Sequence, residues 1–221
     1  MPGKLAIDIV SDPVCPWCLL GLRRLNNALK SLPDGAVEIT HHPFLLDANA
    51  PPEGEDVVEM LRKKYGRDPS EAWDRLEAEA AASGIELDMR KQKKRYPSQR
   101  AQVLIAAAGK KGTQHALAIA IGDAYYFDAR DISDPEVLIE LGEAYGFTRD
   151  EVLTLIMSPD AIGAIERASA QMAGQNGIGG VPYFVFGRKY ALSGAQSDAV
   201  FAEVLETAQK EVVPQAASKT N

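Results

Sequence analysis

Cysteine is nearly absent: the 221 residues contain two, Cys15 and Cys18, both inside Cys15-Pro16-Trp17-Cys18. Placed at random, two cysteines in a chain of this length would land three apart about once in 110 trials. Histidine is scarce too, with three residues. A closed zinc site needs four ligands, and adjacent His41 and His42 at a strand end point to opposite faces, so no metal site is expected. Long apolar runs are missing, which excludes a membrane-spanning helix. Positive charge is in deficit, at a formal net charge of −7, which argues against a nucleic-acid partner, since phosphate binding relies on clustered cations. The start Met1-Pro2-Gly3-Lys4-Leu5 leads into a short apolar stretch broken by Asp8, so no secretory leader is expected. A C-x-x-C without a leader points to the cytoplasm, where disulfides are transient and catalytic.

The remaining composition, 46% hydrophobic and 25% charged, is that of a globular protein with a substantial core. A disulfide across two intervening residues barely constrains an unfolded chain, so stapling is a weak account of the cysteine pair. Two-electron exchange suits it better, because one thiolate attacks a disulfide while the second stands ready to resolve the mixed intermediate. Pro16 fits the first position of a helix, which makes Cys15 the N-cap. There the unpaired N–H groups and the dipole favour a thiolate, so Cys15 is the expected nucleophile and Cys18, one turn inside, the resolving thiol.

Organisation along the chain is β-α-β, then helices, then β-β-α. Residues 4–10 read as a buried strand, Pro16 to Leu29 as a helix stopped by Leu32-Pro33-Asp34-Gly35, and Val37–Thr40 as a strand ended by His41-His42-Pro43-Phe44. Between about 50 and 175 nearly every segment has helical periodicity, with Gly and Pro as punctuation. After Gly179-Gly180-Val181-Pro182 two short strands, Tyr183–Phe186 and Lys189–Leu192, precede a last helix bearing Val200, Phe201, Val204 and Leu205. The expected fold class is α/β, with a discontinuous domain of residues 1–48 and 160–213, a large all-helical insertion at 49–159, and a flexible tail at 214–221.

Other residues have bland and functional readings. Asp8 and Asp12 flank the motif, and either could take the proton of Cys18; Asp12 serves equally as a turn residue before Pro13. His41 and His42 read as satisfied hydrogen-bonding residues, and Trp73 as core of the insertion. The run Arg90-Lys91-Gln92-Lys93-Lys94-Arg95 reads as a solvated face or loop. Trp17 and Tyr125-Tyr126-Phe127 are candidates for an apolar groove, although packing accounts for the last three equally.

Ser11-Asp12-Pro13-Val14-Cys15-Pro16-Trp17-Cys18, Pro43-Phe44, and Gly179-Gly180-Val181-Pro182-Tyr183-Phe184-Val185-Phe186 through Lys189 to Gln196 closely resemble the DsbA-like thioredoxin-fold proteins of the FrnE type. These are relatives of the 2-hydroxychromene-2-carboxylate isomerases and kappa-class glutathione transferases. The resemblance covers nearly the whole chain and implies a thioredoxin fold with a helical insertion, a cis-Pro182 facing the cysteines, and thiol-disulfide oxidoreductase activity. The isomerase and transferase branches carry serine at the nucleophile position, whereas this chain keeps both cysteines. Two departures stand out. The stretch from Pro97 to Gln102 matches the family pattern loosely, and Trp17 replaces the histidine of periplasmic DsbA, so that enzyme's oxidising poise does not carry over.

The reading is a cytoplasmic dithiol oxidoreductase with catalytic Cys15 and Cys18. Pro16, Trp17, Val181 and Pro182 contact substrate, and Asp8 or Asp12 relays a proton. Its partner is a disulfide-containing protein or a small thiol, with glutathione as co-substrate, no other cofactor, no membrane, and a monomer or homodimer. Two rivals stand beside it: a glutathione-dependent transferase or isomerase of the same fold, and a redox-responsive chaperone-like binding protein.

Overall fold

The computed structural model describes residues 4–174 and 177–212. The tail expected at 214–221 lies outside them. Strand β1 (Leu5–Ser11) runs through the middle of a four-stranded sheet of order β2-β1-β5-β6, with β2 at Val37–Pro43, β5 at Tyr183–Phe186 and β6 at Tyr190–Ser193. β1 pairs parallel with β2, Leu5 opposite Val37, and antiparallel with β5, Ile7 opposite Phe186. A strand flanked on both sides needs apolar residues, and Leu5, Ile7 and Ile9 are fully buried. Helices α1 (Pro16–Leu29) and α9 (Asp198–Val212) pack together against this sheet. Their core joins Leu25, Phe184, Phe186 and Phe201, with the Phe184 and Phe201 rings edge to face at 4.9 Å. Each buried phenylalanine contributes about 1.5–3 kcal/mol. This is the thioredoxin fold that the resemblance implies.

Helices α2 (Val57–Tyr65), α3 (Ser70–Ala82), α4 (Gln99–Ala108), α5 (Gln114–Tyr126), α6 (Pro135–Ala144) and α7 (Arg149–Ile156) form the insertion, and α8 (Pro159–Gly174) returns to the sheet. The insertion also holds an antiparallel pair of two-residue strands, β3 (Glu55–Asp56) with β4 (Lys94–Arg95), which period-3.6 patterning does not reveal. Helix α1 is the wall shared by two cores. Leu22, Leu25 and Ala28 face the sheet side, while Leu19 and Leu20 belong to the insertion's core with Leu104, Leu117 and Ile121.

The basic run is corrected in part. Arg90, Lys91, Lys93 and Lys94 are exposed, but Gln92 and Arg95 are buried. Arg95 is bonded to Asp47 and Glu55, and Gln92 donates to the Tyr125 carbonyl at 3.0 Å. The carboxylates that offset the burial of Arg95 come from residues 40 and 48 positions away, and they are invisible in the local run.

β2 continues through His41 and His42 to Pro43, beyond the expected end at Thr40. Gln114 of α5 caps that strand's outer edge, accepting from the His41 amide at 3.0 Å and donating to its carbonyl at 3.2 Å. The His41 Nε2–H donates to His115 Nδ1 at 2.8 Å, and the His115 Nε2–H donates to Asn26 Oδ1 at 2.7 Å. Burial lowers His41 to about 3 and His115 to about 4, from 6.5. Both rings are therefore neutral in the fold, whereas an unfolded chain charges them below pH 6.5. Stability is expected to fall as pH drops from 6.5 toward 4, by on the order of a few kcal/mol. Urea midpoints across pH 4–8 check this. The slope should flatten in a His41→Gln/His115→Gln double variant, and an unchanged slope would refute the assignment.

Candidate active site

Strand β1 ends at Ser11, and the chain turns through Asp12, Pro13 and Val14 before α1 begins at Pro16. The Cys15 amide donates to the Asp12 carbonyl at 3.0 Å, which closes the turn and sets Cys15 as the N-cap residue, with extended backbone. The Cys15 carbonyl accepts from the Cys18 amide at 3.0 Å, so the two cysteines stand one helical turn apart. Both are free thiols and both are buried, Cys15 at 5% and Cys18 at 1% exposure. Burial raises the Cys18 thiol well above its ordinary value, and the hydrogen bond and charge of Cys15 push it the same way. Cys18 thus holds its proton until something nearby accepts it.

The Val181-Pro182 bond is cis. It sits opposite the helix start, and the Cys15 thiol donates to the Val181 carbonyl at 3.7 Å. Residues 166 apart in sequence are brought together because β5, which follows Pro182, pairs with β1, which precedes Cys15. Pro16 and Trp17 are half-buried beside them.

Sequence reasoning missed Gly21, which makes this approach feasible. A Cβ on it would lie 2.9 Å from Pro182 Cγ and 3.1 Å from Phe184 Cζ. Neither ring can swing aside, so Gly21→Ala is expected to push the Val181-Pro182 segment off α1 and cost about 1–3 kcal/mol. A shifted unfolding midpoint together with slower disulfide exchange is the expected result; a variant indistinguishable from wild type would show that the contact has slack.

The two carboxylates divide sharply. Asp8, on β1, is engaged by His42 at 2.8 Å and is partly exposed. Asp12 is fully buried, accepting from the Val14 amide at 3.2 Å and the Leu46 amide at 2.8 Å. Burial raises it from 3.8 to about 6, against the opposing pull of those amides, Ser98 and Arg95. Asp12 and Cys18 also share the wall of a small cavity of about 10 Å³, the size of one water. Arg23 lines it too, and its Nε is buried without a hydrogen-bond partner among the described residues. The structure therefore brings Asp12, and not Asp8, to the thiol pair.

Two further residues matter here: Tyr126, which the sequence offered for an apolar groove, and Arg24, which it did not single out. Tyr126, from the end of α5, donates its hydroxyl to the Val14 carbonyl at 2.7 Å and so braces the turn ahead of Cys15. Arg24 of α1 is buried and donates to Ser83 Oγ at 2.8 Å, Ala195 O at 2.8 Å and Glu79 Oε2 at 2.8 Å. It ties the cysteine-bearing helix to α3 and to the segment before α9. Among the described residues no cluster of three or more metal-binding side chains occurs.

The family model of the DSBA-like thioredoxin domain matches residues 6–206. Among solved structures, a "probable DsbA oxidoreductase" from Streptomyces coelicolor is 33% identical with a TM-score of 0.83, the match covering 96% of this chain and 93% of that one. A 2-hydroxychromene-2-carboxylate isomerase is 18% identical with a TM-score of 0.68, covering 92% of this chain and 94% of the other. A cytosolic disulfide reductase, DsbM from Pseudomonas aeruginosa, solved with glutathione, is 19% identical with a TM-score of 0.66, covering 91% and 98%. Comparison with curated proteins gives no match.

Proposed function

The chain belongs to the DSBA-like thioredoxin domain family, and we propose that it is a thiol-disulfide oxidoreductase in which Cys15 attacks and Cys18 resolves. The observation that carries this reading is the asymmetry of the pair. Cys15 stands at the N-cap of α1, facing the Val181 carbonyl, while burial holds Cys18 protonated one turn inside. The Cys15 thiolate attacks one sulfur of a substrate disulfide, the S–S bond breaks, and one substrate thiol leaves with a proton. Cys18 then gives up its proton, attacks the Cys15 sulfur and releases the second substrate thiol. The substrate gains two electrons and the enzyme ends as the Cys15–Cys18 disulfide. Asp12 is the proposed proton acceptor for Cys18, across the small cavity they share. The Val181 carbonyl, already within reach of the Cys15 thiol, is the proposed docking point for the substrate backbone beside the scissile disulfide. Protein and small-molecule disulfides are both candidate substrates.

Glutathione is the proposed electron donor that returns the pair to the dithiol, and the cytoplasm, where glutathione keeps thiols reduced, is the proposed setting. The test incubates the fully reduced protein with a disulfide substrate in single turnover. One substrate disulfide consumed per chain, with the enzyme's mass falling by two hydrogens, supports the reading. Consumption of substrate with both enzyme thiols still titratable would move the case to a transferase or isomerase.

A further inference from the structure

Cys15 opens into a cavity of about 410 Å³, within the range of small-molecule sites. Its far wall belongs to the insertion. Val57, Met60, Leu61, Lys64 and Tyr65 of α2 line it, at the i, i+3, i+4, i+7, i+8 spacing of a core-facing stripe. Yet no residue of α2 is buried. Ala72, Trp73 and Leu76 of α3, with Pro69 just ahead of it, bring a second stripe to the same space. Both helices border a volume that protein atoms do not fill; Trp73 and Leu76 of α3 are already buried, and an apolar occupant would complete the burial of α2. Trp17, Tyr125 and Tyr126 add aromatic rings to the wall beside the cysteine, which suits a ring-bearing body.

Charge narrows the occupant further. Four charged residues line the cavity: Lys64, Arg67, Asp68 and Arg95. Asp68 is paired with Arg62, and Arg95 with Asp47 and Glu55. Among the described residues that leaves Lys64 and Arg67 without a carboxylate partner, in a chain whose net charge is −7. A locally cationic rim on an acidic protein fits an anion. Glutathione, polar along its whole length, would leave the apolar walls uncovered. A folded protein cannot enter a cavity of this size, and Cys15, at 5% exposure, is reached through it.

We infer that this cavity is a binding site for small molecules with an aromatic, acid-bearing body, and that their disulfides are the substrates of the cysteine pair; the second clause rests on the dithiol reading above. In that reaction the reduced pair and one diaryl disulfide give two aryl thiols and the Cys15–Cys18 disulfide.

The chain's two tryptophans, Trp17 and Trp73, both line the cavity, so intrinsic fluorescence reports its occupancy. Binding is measured on full-length Cys15→Ala protein, which cannot exchange disulfides, with 2-naphthoate as probe and 2-naphthylmethylamine as its cationic counterpart. Naphthoate should quench saturably, and the amine should bind at least about tenfold more weakly. Arg67→Glu and Leu61→Glu should each weaken naphthoate by a similar factor. Arg67 is exposed, so its variant tests the charge without putting folding at stake. In a second arm, the reduced wild-type protein should accelerate reduction of 2,2′-dithiodibenzoate over the uncatalysed exchange at least about tenfold more than that of oxidised glutathione. Absence of saturable quenching, equal affinity for acid and amine, or a preference for oxidised glutathione would each overturn the assignment. Naphthoate binding without turnover of any disulfide would uphold the site and remove the dithiol reading instead; turnover without naphthoate binding would do the reverse.

Discussion

Cys18→Ser protein is expected to stop halfway through the reaction, accumulating as a covalent adduct between Cys15 and one half of the substrate. Cys18, the proposed resolving thiol, lies one turn from Cys15, with its amide 3.0 Å from the Cys15 carbonyl, so its attack would be intramolecular. Replacing it with an external thiol forfeits that proximity, and multiple turnover should fall at least about a thousandfold. Intact-mass measurement should find one substrate thiol per chain, released by dithiothreitol. Cys15→Ser should neither turn over nor trap, because burial leaves Cys18 a protonated and inaccessible thiol. For the same reason iodoacetamide should modify Cys15 before Cys18 in wild type. Full multiple turnover by Cys18→Ser with glutathione would mean that Cys15 works alone, as in a transferase.

Much of this centre is legible in the chain because its signals are local. A proline one residue after Cys15 marks a helix start, and Cys15-Pro16-Trp17-Cys18 places both sulfurs on its first turn whatever the rest of the protein does. Val181-Pro182 is legible as a motif, but its seat opposite Cys15 depends on β5 pairing with β1 rather than with another strand. What stays hidden is whatever depends on burial or on a distant partner. Asp8 and Asp12 look alike beside the motif; only packing buries one and leaves the other to His42. Gly21 reads as a mild helix breaker until Pro182 is found above it. Arg95 reads as part of a solvated run and Arg24 carries no local sign of burial, because the carbonyls and carboxylates that hold them come from residues 40 or more positions away. Helix α2 has the periodicity of a core helix, and nothing in that pattern tells that the space beside it is a cavity.

Asp12→Asn is expected to slow resolution about a hundredfold and to erase a pH dependence centred near 6. A carboxylate accepts a proton only when ionised, and Asp12 ionises at about 6 rather than 3.8 because it is buried. In wild type, decay of the mixed disulfide should therefore slow as pH falls below about 6; in the variant it should be slow throughout, with no inflection there. Stability offers an independent reading. A raised pKa means that the fold keeps a proton the unfolded chain releases, so stability falls as pH rises from 3.8 through about 6, to a full cost of about 3 kcal/mol above it. This sign opposes that of the His41–His115 pair, so the informative quantity is the difference between variant and wild type at each pH. Asparagine removes the charge but offers one acceptor oxygen to the Val14 and Leu46 amides, where Asp12 uses one oxygen for each. That loss costs about 1–3 kcal/mol. The two effects nearly cancel at pH 7, and the variant should match wild type there. At pH 4.5 the aspartic acid is neutral yet keeps both acceptors, so the variant should be the less stable protein. Stopped-flow decay of the mixed disulfide across pH 5–8, with urea midpoints at pH 4.5 and 7, measures both. An inflection near pH 6 that survives in Asp12→Asn would assign the proton to another group and leave Asp12 a purely structural acceptor beneath the turn.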